Sequence, residues 1–221
     1  MRVFVTGATG FVGSAVVREL IAAGHSVLGM ARSDAGAAAV TAAGADVHQA
    51  TLEDPDSLKR GASAADAVIH TAFSYDFSKF AENGAVERRA IAALGDALAG
   101  SGRALIVTSG TALLAPGRLA TEDMTGHAGS TDVPRDPETV VLAPVPHGVR
   151  ASVVRLSPTV HGPGDHGFVP MMIGIAREKG LSAYIGDGQN HWPAVHRLDA
   201  ANLFRLALER GAAGARYHAA A

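Results

Sequence analysis

The residues with the plainest chemical purpose stand near the start of the chain. Thr6-Gly7-Ala8-Thr9-Gly10-Phe11-Val12-Gly13 sets a glycine at every third position, between a β-branched run and a stretch of helical spacing. Gly7 permits a tight turn out of a strand, Gly10 lets a charged group approach the backbone, and Gly13 lets the helix lie close on a sheet. The helix then offers unpaired N–H groups and the positive end of its dipole, which together bind phosphate. A second strand about 20 residues on supplies the context that a bare glycine match lacks, and the pattern reads as a dinucleotide site.

The end of that second strand separates the two nicotinamide dinucleotides. A carboxylate there holds a ribose 2′-hydroxyl, and an arginine there accommodates a 2′-phosphate. This chain reads Leu28-Gly29-Met30-Ala31-Arg32-Ser33-Asp34, with no acid at the tip. Arg32 matches a 2′-phosphate, and Ser33 adds a second donor. Asp34 is read as a cap for the next helix or a rival partner for a ribose hydroxyl. NADP(H) is favoured over NAD(H).

Other constellations are weaker. His161, His166, His191 and His196 lie with Asp165 and Asp187 in spacings that match no zinc pattern, so no metal is expected. Ser109 lacks the G-x-S-x-G elbow of a hydrolase nucleophile. Tyr75 reads as a packing residue near the active edge, and Asn83, Glu87 and Arg88 as a solvated helix face or a subunit contact.

These residues need a scaffold. Short β-branched runs alternate with longer Ala/Leu-rich stretches, which predicts an α/β fold with a doubly wound parallel sheet. Strands are expected at 3–6, 25–30, 45–48, 67–70, 104–108, 151–156 and 216–218. Helices are expected at 11–23, 34–43, from Pro55, 78–99, 167–179 and 199–210. The long one carries Val86, Ile91, Leu94 and Leu98 on its apolar side. Residues 110–150 break the rhythm with five prolines and read as an irregular segment at the sheet's active edge. A helix fits there only within 135–143. The domain reading is a dinucleotide-binding unit over 1–160. Residues 161–221 follow as a partial substrate lobe plus a returning helix and strand.

Composition excludes several classes. The net charge of −2 gives no electrostatic case for nucleic acid or an anionic membrane surface. Absence of cysteine removes disulfides, thiolate metal sites and a cysteine nucleophile. No apolar run approaches a membrane span, and the N-terminus shows neither a basic leader region nor a cleavage site. The expectation is a cytoplasmic protein acting on a small molecule.

Together these motifs resemble the extended short-chain dehydrogenase/reductases, the family of NAD(P)-dependent epimerases and dehydratases with a Rossmann fold. VFVTGATGFVGSAVVRELIAAGH is similar to their TGxxGFxG opening. Asp66–Ala72 is similar to their D-x-V-x-H-x-A strand, and Leu105–Ser109 to the strand before the catalytic serine. Val154–Asp165 resembles R-P-x-x-V-Y-G-P-G-D, and Trp192–Ala201 resembles W-x-x-V-H-x-x-D-x-A. The resemblance implies Gly7, Thr9, Gly10, Phe11 and Val12 at the pyrophosphate, and Arg32 and Ser33 at the 2′-phosphate. It implies Thr51 (where the family has Asp) and Leu52 near the adenine. It puts Thr71, Ala72 and Phe73 on the ribose side, and Val107, Thr108, Pro158 and Thr159 by the nicotinamide. Members of the family often dimerise through the long helix and the one after the fifth strand, which implies a homodimer.

The catalytic pattern departs from the family. Its Tyr-x-x-x-Lys pair is absent: Tyr75, Tyr184 and Tyr217 have no lysine four residues later, and residues 111–149 contain neither tyrosine nor lysine. Gly110 aligns with the catalytic hydroxyl, which leaves Ser109, Thr111 and His161 as candidate catalytic groups. The stretch expected to carry the tyrosine holds Arg135, Asp136, Glu138 and Thr139. Extended members also continue beyond the point where this chain stops, so a small or truncated C-terminal lobe is expected. The leading expectation is an NADP(H)-dependent oxidoreductase for a small carbonyl or alcohol with a non-standard proton donor. The alternatives are a catalytically silent NADP(H)-binding sensor or partner-binding protein and, more weakly, a nucleotide-sugar epimerase or dehydratase.

Overall fold

Alternating apolar residues and helical stretches assemble, in a computed structural model, into one layered α/β unit. The structure describes residues 1–74, 76–114, 118–125 and 135–220. The elements run β1 (Arg2–Thr6), α1 (Phe11–Ala22), β2 (Ser26–Ala31), α2 (Asp34–Ala42), β3 (Asp46–Gln49), α3 (Pro55–Ser63) and β4 (Ala67–His70). Then come α4 (Phe80–Leu98), β5 (Ala104–Gly110), α5 (Pro137–Leu142), β6 (Arg150–Leu156), β7 (Thr159–His161), α6 (Phe168–Lys179), β8 (Ala194–His196), α7 (Arg197–Arg210) and β9 (Arg216–Ala219). Seven strands pair in the order β3-β2-β1-β4-β5-β6-β9, all parallel. The chain reverses its direction of winding between β1 and β4, and crevices at such a point take ligands in open α/β sheets.

Period-two alternation divides the strands between two apolar layers. Val3, Val5, Ile69, Ile106 and Val154 face one layer with Val16, Leu20 and Phe204. Phe4, Val68, Leu105 and Val153 face the other with Leu58, Ile91 and Leu94. Helices α1, α2 and α7 thus cover one face, and α3, α4 and α5 the other. At the rear edge of the sheet, two arginines satisfy the ends of helices. Arg103 donates to the carbonyls of Ala62, Ala65 and Ala97, and Arg150 to those of Leu208 and Gly211. Both place a cation where the helix dipole is negative.

Several boundaries differ from the sequence expectation for local reasons. β2 runs through Ala31, because Ala31 pairs with Gln49 and its carbonyl accepts from Ala50 N–H. The long helix opens as a 3-10 turn over Phe77–Lys79, capped by the Asp76 carboxylate on Ser78 N–H at 3.0 Å. β5 continues to Gly110, since its pairing with β6 holds through Leu156. α7 starts at Arg197 rather than at residue 199, with the His196 ring accepting from Leu198 N–H. β7 and β8 were not expected; they form a separate two-stranded parallel sheet.

The irregular segment contains a 3-10 turn at Thr111–Leu113, the short α5 and a second 3-10 turn at Val145–His147. Residues 115–117 and 126–134, and Tyr75, lie outside the described residues. α6 presents Phe168, Met171, Met172, Ile173 and Ile175 at the surface, with Trp192 stacked on Phe168 at 5.1 Å. Among the described residues, no helix is long and apolar enough to cross a membrane.

Helix and sheet pack closely at Gly61 in α3, where an added Cβ would lie 2.5–2.9 Å from three atoms of the Phe4 ring. Phe4 is fully buried and has no room to retreat. Gly61→Ala is therefore expected to lower stability by about 1–3 kcal/mol, read as a lower urea midpoint with an unchanged slope. A wild-type midpoint would contradict this packing.

Candidate functional site

The site begins with the turn between β1 and α1. Gly7 sits at φ +70°, and a Cβ on it would meet Thr71 Oγ1 at 2.7 Å and Ala72 N at 2.8 Å. Its carbonyl accepts from Gly10 N–H at 2.9 Å. A Cβ on Gly13 would lie 2.0 Å from that same carbonyl oxygen, so only glycine lets α1 start this close to the turn. Thr71 locks the arrangement from β4: its hydroxyl donates to Thr6 O at 2.8 Å.

Gly10 caps α1 without a side chain, and the first turn contains no acid. The first intrahelical bond is Ser14 N–H to Gly10 O, which leaves the N–H groups of Phe11, Val12 and Gly13 without helical acceptors. A glycine cradle and an uncapped, acid-free helix start fit a pyrophosphate. Phe11 also anchors what lies beyond it, with Arg197 5.0 Å over its ring and the His166 ring at 5.9 Å edge-on.

At the tip of β2, Ala31 is buried and Arg32 and Ser33 are exposed. The cap of α2 is Ser33, whose Oγ accepts from Gly36 N–H at 3.2 Å; Asp34 follows as the first helical residue. The expectation that Asp34 would cap is thus corrected. Ser33 keeps its hydroxyl hydrogen as a donor while its oxygen serves the helix. A Cβ on Gly36 would sit 3.4 Å from Ser33 Oγ and 3.8 Å from the Thr9 methyl, so this tip adjoins the glycine turn. Thr51 and Leu52 follow β3, and Leu52 packs with Ala72 against the second core layer.

Behind the turn lies His70, at the end of β4. Its Nδ1 is 2.8 Å from Thr6 Oγ1, and its Nε2 is buried with no hydrogen-bond partner among the described residues. Burial, and then the charge of Arg135, lower its pKa from 6.5 to about 3. The ring is therefore neutral at neutral pH.

The carboxyl ends of β5 and β6 carry the other candidates. Thr108 Oγ1 donates to His70 O at 2.9 Å. Ser109 is buried, and its hydroxyl hydrogen-bonds Glu138. Thr111 donates to Leu156 O at 3.4 Å. Val107 is fully buried within β5, Pro158 follows β6, and Thr159 accepts from Trp192 Nε1 at 2.7 Å. His161 pairs with His196 across β7 and β8, ring centroids 5.4 Å apart. Among the described residues, no hydrogen bond joins His161 to Ser109 or Thr111.

Two buried ion pairs were not foreseen. Glu87, read as part of a solvated helix face, is 1% exposed and meets Arg135 through two hydrogen bonds, at 2.8 and 2.6 Å. Arg135 also donates to Thr108 O at 3.2 Å and lies 4.4 Å over the Phe73 ring, which meets Phe80 edge-on at 5.6 Å. Burial raises the Glu87 carboxyl above its ordinary range, and the Arg135 charge offsets part of that. The signal was present: Glu87 shares a helical stripe with Ile91, Leu94 and Leu98, while Val86, assigned to that stripe, is only half-buried. An acid on an apolar stripe asks for an inward partner.

The second pair joins fully buried Arg155 of β6 to Glu138 of α5, Nε and Nη2 each 2.7 Å from a carboxylate oxygen. Arg155 also donates to Met124 O at 2.6 Å and lies 3.2 Å from His218 Nε2. Arg216 adds a contact to Glu138 at 3.0 Å. Burial alone would raise the Glu138 carboxyl, but hydrogen bonds from Arg155, Ser109 and Arg216 and the Arg155 charge hold it below its ordinary range. Among the described residues, no three His, Asp or Glu side chains gather as a metal-ligand set.

Residues 3–117 match the model of the NAD dependent epimerase/dehydratase family. The chain belongs to that family. It is 53% identical over 228 residues to the uncharacterized protein C2A9.02 of Schizosaccharomyces pombe, covering 100% of this chain and 75% of that one. To the 2-alkyl-3-oxoalkanoate reductase of Stenotrophomonas maltophilia it is 31% identical over 233 residues, covering 97% of this chain and 67% of the relative. Among solved structures it superposes on the dTDP-glucose 4,6-dehydratase DesIV of Streptomyces venezuelae with a TM-score of 0.79. That match has 22% identity over 99% of this chain and 75% of the other, a likeness of fold.

His70 yields a pH prediction. Its folded pKa lies below the unfolded value of 6.5, so the stability it contributes is fully present above pH 6.5 and is lost as pH falls toward 3. Wild type is expected to lose about 2 kcal/mol more than His70→Gln between pH 7 and pH 5 in urea denaturation. Equal losses in the two proteins would refute a neutral, buried imidazole.

Proposed function

We propose that the chain is an NADP(H)-dependent oxidoreductase acting on a small carbonyl or alcohol substrate without a Tyr-x-x-x-Lys pair. The observation that carries the reading is the uncapped, acid-free start of α1 over the Gly7–Gly13 cradle, beside a β2 tip that presents Arg32 and no carboxylate. Phe11, Val12 and Gly13 N–H groups hold the pyrophosphate, and Arg32 with the Ser33 hydroxyl holds the 2′-phosphate. Thr51 and Leu52 flank the adenine side, Thr71, Ala72 and Phe73 the ribose side, and Val107, Thr108, Pro158 and Thr159 border the reacting end. Bound there, a nicotinamide supplies two-electron chemistry at a carbonyl or carbinol carbon. The similarity to a 3-oxoalkanoate reductase supports a ketone as the oxidised substrate.

Ser109, Thr111 and His161 are the side chains proposed to hold or move a proton. A second reading, a cofactor-binding protein without turnover, draws on the burial of Ser109 and its engagement by Glu138.

Quenching of Trp192 fluorescence by NADPH and by NADH tests the cofactor assignment. Wild type is expected to bind NADPH more tightly. Arg32→Ala is expected to weaken NADPH roughly 10–100-fold while leaving NADH within about twofold, since one charge-assisted contact set is lost. A wild-type preference for NADH would sink the assignment. Oxidation of NADPH against ketones and aldehydes then separates enzyme from silent binder.

A further inference from the structure

Exposed apolar surface on this chain is gathered in one place. Apart from Met1 and Leu119, every large apolar side chain exposed among the described residues lies between Phe168 and Leu198. The centre of that stretch is α6, which is apolar on all sides from Phe168 to Ala176. None of its residues is buried, and among the described residues no other helix or strand packs along its length. The body holds it at its first turn, where Phe168 stacks on Trp192 and Trp192 Nε1 donates to Thr159. A helix of 12 residues is marginal alone in water, and one that is hydrophobic all round is stable when covered.

The charges narrow what covers it. An interfacial membrane helix carries basic residues along a polar face, whereas Arg177, Glu178 and Lys179 all stand in the last turn of α6. The run is also too short to span a bilayer. A protein surface fits better. Neither α4 nor α5, the helices that the family resemblance puts at a dimer contact, contributes one of the exposed large apolar side chains.

We propose that α6 is the contact between two copies of this chain, packed antiparallel about a twofold axis near Ile173. Phe168, Met172 and Ile175 form one stripe at helical spacing, so a twofold axis sets Met172 of each copy against the partner's Ile175. The ends are complementary in charge. Asp165 stands just before the helix, its carboxylate accepting from Gly167 N–H at 2.7 Å. Lys179 stands at the other end, in an exposed pair with its neighbour Glu178. Antiparallel packing brings each Asp165 beside the partner's Lys179 and opposes the two helix dipoles, whereas parallel packing would stack like charges. The area is also sufficient. The large apolar side chains from Phe168 to Trp192 are 37–82% exposed. At roughly 80–120 Å² apiece they offer on the order of the 800 Å² per partner that a stable interface buries.

Sedimentation velocity of the full chain up to about 100 µM is expected to show a concentration-dependent dimer. Ile175→Glu puts a carboxylate in the stripe without touching either core layer. It is expected to raise the dissociation constant at least about 100-fold, with circular dichroism near that of wild type. Lys179→Glu leaves the apolar stripe intact and tests the direction of packing. It is expected to weaken the dimer roughly 3–10-fold at low salt, and less in an Asp165→Asn background, whose amide still accepts from Gly167 N–H. The chain has no cysteine, so Ile175→Cys offers a single site for a short bis-maleimide. That variant is expected to give a covalent dimer, and Thr41→Cys, exposed on α2, is not. A chain that stays monomeric at about 100 µM, with or without binding to phosphatidylcholine vesicles, would overturn the proposal. So would a dimer that Ile175→Glu leaves intact, because its interface lies elsewhere. Equal effects of Lys179→Glu in the two backgrounds would overturn the antiparallel packing.

Discussion

A missing Cβ governs the geometry of this molecule. Because Gly13 has none, the first turn of α1 rests on the Gly7 carbonyl and on Thr71 at the end of β4. That contact fixes three things at once: the departure angle of the chain from β1, the spacing of β1 and β4 at their crossover, and the direction of the unpaired N–H groups. The effects continue outward. α7 packs against α1, and Phe11 in the first turn carries contacts to Arg197 and His166. The C-terminal third of the chain is thereby referenced to a turn formed by its first residues.

Charge is distributed along the sheet with comparable economy. At the rear edge, Arg103 and Arg150 meet helix carbonyls and need no acid, because the helix dipoles supply the negative end. At the front edge the arginines are paired with glutamates, Arg135 with Glu87 and Arg155 with Glu138. The front pairs come from α4 and α5, so they tie the helices of one face to the strand ends. The neutral imidazole of His70 lies near enough to Arg135 for that charge to depress its titration.

Much of the fold and the glycine turn at the head of α1 was legible, because their signals are local. A glycine every third residue, β-branched runs and a Pro55 start for α3 each act on adjacent backbone. Boundaries slipped where pairing between distant segments decides, as when β5 extends to Gly110 on the strength of Leu156. β7 and β8 escaped because three residues are too few to show a period, and each exists through the other. The ion pairs escaped for a different reason. Glu87, Arg135, Glu138 and Arg155 look like surface charges until the topology brings them together. The sole warning was an acid on the Ile91–Leu94 stripe. Ser33 and Asp34 are adjacent and both are good capping types, so spacing alone left their roles to be decided by the backbone.

The cluster around Glu138 has a consequence for the order in which the protein comes into being. It draws on Ser109, Arg155, Arg216 and His218, and the last two arrive with β9 at the far end of the chain. A nascent chain leaving the ribosome N-terminus first completes the glycine turn, β2 and β4 long before those partners are synthesised. The half that resembles a nucleotide cradle can mature early in translation, whereas the polar backing of β5 and β6 waits for β9. The two halves of the site are thus separated in biosynthetic time as well as in sequence.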